Sequence, residues 1–126
     1  MENLPSKLRI FDIAANLTEK RFKFDMASLL QRAATVGVEK FLLAGTELES
    51  SKKAKKLCEN YENLYYTTGI HPCSAKNVLN TCEMQHITLD QYFEQLESLA
   101  KESDLCVAIG ECGLDYDRFE YSSREE

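Results

Sequence analysis

The amino-acid sequence predicts an α/β fold built on a parallel sheet, and three observations support this prediction. Four short apolar segments alternate along the chain with three segments whose apolar residues recur at helical spacing. Strands that alternate with helices form parallel sheets with right-handed crossovers. The length of 126 residues allows one hydrophobic core, which means one domain or a part of one. Two architectures fit this order, an open doubly wound sheet and part of a (β/α)8 barrel.

Two strands and one helix are predicted in the first third of the chain. Residues 8–14 are short, apolar and partly β-branched, as expected of a strand. A helix follows this strand, and Gly37 is expected to end it in a left-handed conformation. The apolar run at 41–44 is typical of a strand covered on both faces. The helix itself is indicated by an N-cap at Asp25 and by one apolar stripe, formed by Met26, Leu29, Leu30 and Ala33.

Two more helices and two more strands are predicted in the rest of the chain. Residues 46–49 have the spacing of a capping box, and a helical stripe follows them through Tyr61. Residues 64–70 form the third predicted strand, and the polar, aperiodic residues 73–86 are predicted to be a loop. Thr88 and Gln91 then cap a helix, and the last strand covers Leu105, Cys106, Val107, Ala108 and Ile109.

The last residues of the chain favour the barrel over the doubly wound sheet. Ser122 and Glu125 have capping-box spacing, and acidic residues fill what would be the first turn of another helix. We therefore expect a helix to begin where this sequence stops. A doubly wound nucleotide-binding domain would also need a glycine-rich phosphate loop after the first strand, and residues 14–17 do not form one.

The composition and charge exclude several functional classes. The net charge is −6, so bulk charge does not attract the protein to nucleic acid or to anionic membranes. The lysines at 52–56 lie opposite the apolar stripe of their helix, where solvated charge belongs. No apolar run approaches the ~20 residues of a membrane helix, and residues 1–5 do not resemble a signal peptide. Five cysteines without metal-site spacing predict a reduced protein of the cytoplasm, with the nucleus as the alternative.

Polar residues collect at the C-terminal ends of the predicted strands, and Glu111 is the clearest of them. The βα loops of parallel α/β folds converge there and form the active site. Glu111 follows a buried strand and is flanked by Gly110 and Gly113, which allow close backbone approach. Its carboxylate suits a hard divalent cation. The alternative is that Glu111 caps the strand end or pairs with a neighbouring cation.

Two further candidates lie at other strand ends. His71, before Pro72, is a candidate metal ligand or general acid, and the alternative is a loop histidine that bonds its own turn. Asp12 is a candidate metal ligand, but its position at the strand end favours a carboxylate that accepts backbone amides. Asn16 is expected to form an Asx-turn.

Four segments together resemble the TatD family of metal-dependent deoxyribonucleases. Residues 110–116 (Gly-Glu-Cys-Gly-Leu-Asp-Tyr) resemble the G-E-x-G-L-D signature of that family, and residues 69–72 resemble its G-x-H-P turn. Residues 11–18 are similar to its opening strand, and residues 44–51 to its second βα turn. The four segments occur in the family's order across nearly the whole chain.

The resemblance implies a (β/α)8 TIM-type barrel of the metal-dependent hydrolase type, of which residues 1–126 would form the N-terminal half with about four βα units. It implies phosphodiester hydrolysis with Mg²⁺ or a similar ion, typically as a 3′-to-5′ exonuclease. Glu111 matches the family's metal-binding carboxylate, and Asp12 is a second, less secure match. His71 is expected near the scissile phosphate as a catalytic residue. Many members carry two histidines in the first strand, where this chain has Ala14 and Asn16.

The expected function is therefore a divalent-metal-dependent deoxyribonuclease that holds DNA through a metal rather than through a basic surface. The family's later ligands, two histidines and an aspartate, have no counterpart in these residues, so we expect little or no activity from the 126-residue chain alone. The alternative is a catalytically inactive truncated isoform or an interaction module. A half-barrel exposes sheet edges and its inner face, so self-association is expected.

Overall fold

The computed structural model describes residues 8–126 and contains one sheet flanked by helices. The segment at residues 1–5, for which no signal peptide is predicted, lies outside the described residues. Short 3-10 turns occupy Lys20–Phe22 and Pro72–Ser74. The strands are β1 (Ile10–Ala15), β2 (Val38–Leu43), β3 (Leu64–Thr68) and β4 (Cys106–Ile109). The helices are α1 (Met26–Thr35), α2 (Leu48–Asn60), α3 (Ala75–Gln85) and α4 (Leu89–Lys101).

All three strand pairs are parallel, and the strands lie in the sheet in chain order, β1-β2-β3-β4. Each crossover therefore moves in the same direction. In a doubly wound sheet the strand order reverses at a switch point, and no reversal occurs here. The predicted barrel-type α/β fold is confirmed, and the doubly wound alternative is excluded.

The core consists of two clusters on the helix side of the sheet. The larger cluster joins β1, β2 and β3 to α1 and α2, and its most buried members are Leu43, Ala54, Leu64 and Tyr66. The second cluster joins the start of α2 to α3 and α4, and it contains Leu48, Val78, Cys82, Tyr92, Leu96 and Leu99. The second cluster packs beneath the ends of β2 and β3, which carry the candidate site.

The prediction of a loop at residues 73–86 is wrong, because a 3-10 turn and the helix α3 occupy this segment. Only two apolar side chains of α3, Val78 and Cys82, are buried, and they lie four residues apart on one face. So few apolar positions give too weak a periodic signal in the sequence. Packing against α4 stabilises the helix, which ends at His86 in the left-handed conformation.

The predicted helix ends are confirmed in part. Thr88 and Gln91 form the expected capping box of α4, and Gly37 has the expected positive φ of 97°. The capping box of α2 lies one residue later than predicted, between Glu47 and Ser50. Asp25 occupies the N-cap of α1 without capping it, because its carboxylate bonds Arg32 instead.

Residues 122–126 are not helical, and the helix expected to begin where this sequence stops stays a prediction. The hydroxyl oxygen of Ser122 accepts the backbone N–H of Lys76 at 3.2 Å. Ser122 thereby ties the end of the described chain to the start of α3.

The outer strands expose apolar side chains. Phe11 and Ile13 of β1 and Val107 and Ile109 of β4 are each about half exposed or more. β1 and β4 each have a neighbour on one side only, as predicted for an incomplete barrel. Among residues 8–126, no helix combines the length and apolar character that a membrane crossing requires.

Candidate functional site

The C-terminal ends of β2, β3 and β4 are joined by backbone hydrogen bonds. The N–H of His71 donates to the carbonyl of Thr46 at 2.9 Å, and the N–H of Glu111 donates to the carbonyl of Gly45 at 2.8 Å. These bonds satisfy polar groups that the strand ladders leave unpaired. The two best candidate residues of the sequence analysis therefore leave the sheet from fixed positions on one rim.

Gly69 is required for this arrangement, since the chain after β4 passes directly over it. A Cβ atom at Gly69 would lie 2.5 Å from the carbonyl carbon of Gly110 and 2.7 Å from the carbonyl oxygen of Glu111. Any side chain would push the end of β4 away from β2. In the Gly-x-His-Pro turn, Gly69 thus leaves space for the backbone of Gly110 and Glu111, and His71 carries the polar side chain.

The imidazole of His71 faces Glu111. Its Nδ1 accepts the backbone N–H of Cys73 at 3.0 Å, so a neutral ring carries its proton on Nε2. Nε2 lies 3.5 Å from Oε1 of Glu111, slightly beyond ordinary hydrogen-bond length. The His71 side chain is 24% exposed and that of Glu111 is 56% exposed. A closure of about 0.5 Å would bond Nε2–H to the carboxylate and leave Oε2 for a ligand.

The described residues include a type of ligand that suits a hard divalent cation, but they supply too few ligands to hold one. Glu111 supplies the oxygen donor that such a cation prefers. No group of three or more His, Cys, Asp or Glu side chains that could hold a metal ion occurs within residues 8–126. The tautomer of His71 also directs a proton, not a lone pair, towards Glu111. Within residues 8–126, Glu111 is therefore the candidate ligand best placed on the rim, and it does not complete a metal site with its described neighbours.

Asp12 makes a local contact. Its Oδ1 accepts the N–H of Ala14 at 3.1 Å, at a point where the pairing of β1 with β2 is irregular. This is the backbone-capping alternative of the sequence analysis. A ligand role for Asp12 stays a prediction.

A second polar group, which sequence reasoning missed, lies beside His71 in the β4 loop (residues 110–118). Asp115 Oδ1 accepts the backbone N–H groups of Asp117 and Arg118 at 2.9 and 3.2 Å. Its Oδ2 lies 3.7 Å from Arg118 Nε and 3.9 Å from Cys73 Sγ. The hydrogen bond from Asp117 is the main reason that the pKa of Asp115 lies below its usual value. An Asp followed two and three residues later by its N–H donors is a typical Asx-turn signal, whereas the approach of Cys73 depends on the fold.

The buried thiols are not candidate nucleophiles. Burial raises the pKa of Cys58 to about 12 and also raises the pKa of Cys106. A thiol reacts as the thiolate, which these two cysteines rarely form at neutral pH. The rim carries carboxylate, imidazole and guanidinium groups together with the thiols of Cys73 and Cys112.

Four parallel strands in chain order, with polar groups gathered at their C-terminal ends, are the arrangement of part of a (β/α)8 barrel. The model of the family described as TatD related DNase matches residues 11–126. The chain belongs to this family, as the four sequence segments had indicated.

Curated relatives and solved structures agree with this assignment. The chain is 39% identical over 128 residues to the deoxyribonuclease Tat-D of Schizosaccharomyces pombe, with 91% of this chain and 40% of that protein covered. It is 38% identical over 109 residues to the 3′-5′ ssDNA/RNA exonuclease TatD of Cronobacter sakazakii, with 86% and 37% covered.

Among solved structures, the TatD-family hydrolase of Entamoeba histolytica superimposes with a TM-score of 0.75 at 31% identity, over 93% of this chain and 41% of that one. The TatD homologue YJJV of Escherichia coli gives 0.68 at 32% identity, over 90% and 41%. The chain thus spans about two fifths of the length of these relatives.

Proposed function

We propose that this chain forms the N-terminal part of a divalent-metal-dependent nuclease, in which Glu111 binds the metal and His71 acts beside the scissile phosphate. The Glu111–His71 pair on the rim of the sheet carries this proposal. The family assignment supports it, since relatives are named as a deoxyribonuclease and as 3′-5′ ssDNA/RNA exonucleases. Asp12 remains a further proposed ligand, from the first strand.

In the proposed reaction, the metal supplies the charge and the residues of this chain position it. A divalent cation, in our proposal Mg²⁺, neutralises phosphate charge and lowers the pKa of an attacking water. Within the chain, Glu111 presents an exposed carboxylate from a backbone fixed to Gly45. His71 directs Nε2–H towards one oxygen of that carboxylate, and closure of the 3.5 Å gap would restrict its rotation to a single orientation.

The proposed substrate is a DNA strand, cleaved from its 3′ end. With a net charge of −6, the chain does not gather nucleic acid by its overall field. The metal and the local groups of the rim must therefore hold the phosphates. All five cysteines are free thiols, which supports a reducing compartment, the cytoplasm or alternatively the nucleus.

A Mn²⁺ titration of the ¹⁵N-labelled chain tests the metal site, because this paramagnetic ion broadens nearby NMR signals. We expect broadening centred on Glu111 and His71, and its loss in Glu111→Gln. Glu97→Gln is a matched control, since Glu97 lies on α4 and pairs with Lys101. Broadening centred elsewhere, or unchanged in Glu111→Gln, would overturn the assignment of Glu111.

A nuclease assay tests the activity of the chain alone. With Mg²⁺ and 3′-end-labelled single-stranded DNA, we expect no mononucleotide release above background, because residues 8–126 lack a complete ligand set. Release that disappears in Glu111→Ala would refute the expected inactivity and would support Glu111 as part of the site.

The alternative proposal, an interaction module, is favoured by the exposed surface of the sheet. Phe11 and Ile13 of β1 are 48% and 68% exposed, and Val107 and Ile109 of β4 are 51% and 70% exposed. Exposed apolar side chains on strands at the edge of a sheet favour association. We propose a second copy of this chain as the partner, since two four-stranded sheets supply the eight parallel strands of a closed barrel.

A further inference from the structure

A cleft of about 460 Å³ opens beside the Glu111–His71 pair, between the β4 loop and the segment that follows β3. The loop is fixed in this position by the Asx-turn of Asp115 and by the hydrogen bond between Ser122 and Lys76. The residues that line the cleft include His71, Cys73, Asp115, Tyr116, Arg118 and Phe119. His71 therefore belongs both to the proposed catalytic pair and to the wall of this cleft.

Arg118 gives the cleft a cation that is available to a ligand. Its side chain is 59% exposed, and its contact with Asp115 is a single one, from Nε at 3.7 Å. The thiol of Cys73 and the side chain of Tyr121 are further neighbours, and sulfur is a weak acceptor. A guanidinium carries five N–H donors in a fork that matches a phosphate group. Arg124 and Glu126, which carry opposite charges, also line the cleft.

Two aromatic side chains stand next to this cation. Tyr116 and Phe119 line the same cleft and are each about half exposed or more. Exposed aromatic faces beside a cation are the usual means of holding single-stranded nucleic acid, since every base can stack on them. The cleft thus combines a donor for phosphate with a surface for a base.

We propose that this cleft is a nucleotide subsite, in which Arg118 holds a phosphate group and Tyr116 stacks on the base of a strand end. This inference rests on the proposed nuclease function and adds to it a contact that needs no metal. It also explains how an acidic chain retains its substrate, because the attraction is local to the rim.

NMR titration of the ¹⁵N-labelled 126-residue chain in EDTA tests the subsite, with thymidine 5′-monophosphate as the probe. We expect shifts centred on residues 115–119 and on Cys73. Thymidine and inorganic phosphate, which each lack one half of the probe, are expected to bind at least about tenfold more weakly. Arg118→Gln is expected to weaken binding of the monophosphate by about tenfold or more, as the loss of a charge-assisted contact.

Two further variants separate the contribution of base stacking from that of the phosphate contact. Tyr116→Ala is expected to weaken binding of the monophosphate and to leave binding of inorganic phosphate unchanged. Arg32→Gln is the matched control, because Arg32 also pairs with an upstream Asp but lies on α1. It is expected to leave every affinity unchanged. A dispersed spectrum of each variant confirms that it is folded.

The proposal is overturned if Arg118→Gln binds the monophosphate as tightly as the wild type, or if the shifts centre outside the β4 loop. Inorganic phosphate that binds as tightly as the monophosphate would show an anion site without base recognition and would also overturn it. Since no metal is present, these outcomes do not depend on the Mn²⁺ experiment at Glu111. Failure of the subsite is thereby distinguishable from failure of the proposed function.

Discussion

Asp115 is the residue whose protonation is most closely tied to the shape of the β4 loop. Its pKa is lowered mainly by the N–H of Asp117, with smaller contributions from the N–H and the charge of Arg118. The ionised form is therefore favoured in the folded chain. It stabilises the loop above the ordinary Asp pKa of about 3.9, and this stabilisation is lost as the pH falls through the lowered value.

We expect the amide signals of Asp117 and Arg118 to titrate with a midpoint below pH ~3.9. An NMR pH titration measures this midpoint directly. In Asp115→Asn this transition should be absent, because an amide does not ionise. A midpoint at or above the ordinary value would contradict the hydrogen bonds described for this carboxylate.

For individual residues, the sequence identifies Glu111 and His71 as candidate site residues because both follow predicted strands. It does not identify their arrangement, since the proton position on His71 depends on the N–H of Cys73. The contact between Cys73 and Asp115 joins positions 42 residues apart. No local pattern encodes such a pair before the fold is known.

At the scale of elements, Tyr92 of α4 caps the start of α2. Its hydroxyl oxygen accepts the backbone N–H of Leu48 at 2.9 Å, and both residues are almost fully buried. The first N–H groups of a helix have no partner within it, and water does not reach this one. The bond therefore links α2 to α4 directly beneath the rim that carries Glu111 and His71.

Tyr92→Phe is expected to reduce the free energy of unfolding by about 1–3 kcal/mol, because it leaves the N–H of Leu48 buried without an acceptor. Urea unfolding measures the loss as a lower midpoint at an unchanged slope. Tyr61→Phe, at a half-buried tyrosine that follows α2, should change stability by less than about 0.5 kcal/mol. Equal effects of the two substitutions would refute the capping role.

The sequence predicts most elements within a few residues and fails at one. β3, predicted over 64–70, covers Leu64–Thr68, and α4 begins at Leu89 as expected from its capping box. Such segments have strong periodicity or a clear cap. The helix α3 has neither, and its stability comes from contacts with α4, which are not visible in a local window of sequence.

At the scale of the whole molecule, the exposed strands β1 and β4 predict self-association. Pairing of β4 with β1 of a second copy would cover Val107 and Ile109, and it would place two Glu111–His71 pairs on one rim. Sedimentation equilibrium is expected to give twice the mass of the 14.4 kDa chain.

Val107→Glu with Ile109→Lys is expected to yield monomers, because charge on an edge strand opposes pairing. Met84→Lys, an equally exposed apolar position on α3, should leave the mass unchanged. A wild-type monomer at 100 µM, or a dimer that persists in the double variant, would contradict association through β4. At about 100 µM, an interface with a micromolar Kd would hold most of the protein as dimer.

The order of strands in the sheet has a consequence for folding during synthesis. Each strand pairs with the strand made just before it, as Ile10 pairs with Val38 and Phe41 with Leu64. Each of these parallel pairings spans a helix and forms more slowly than a local contact, and chains fold from their N-terminus as they leave the ribosome. Each new strand therefore meets the strand made before it, and Glu111 reaches Gly45 only after β2 and β3 are in place.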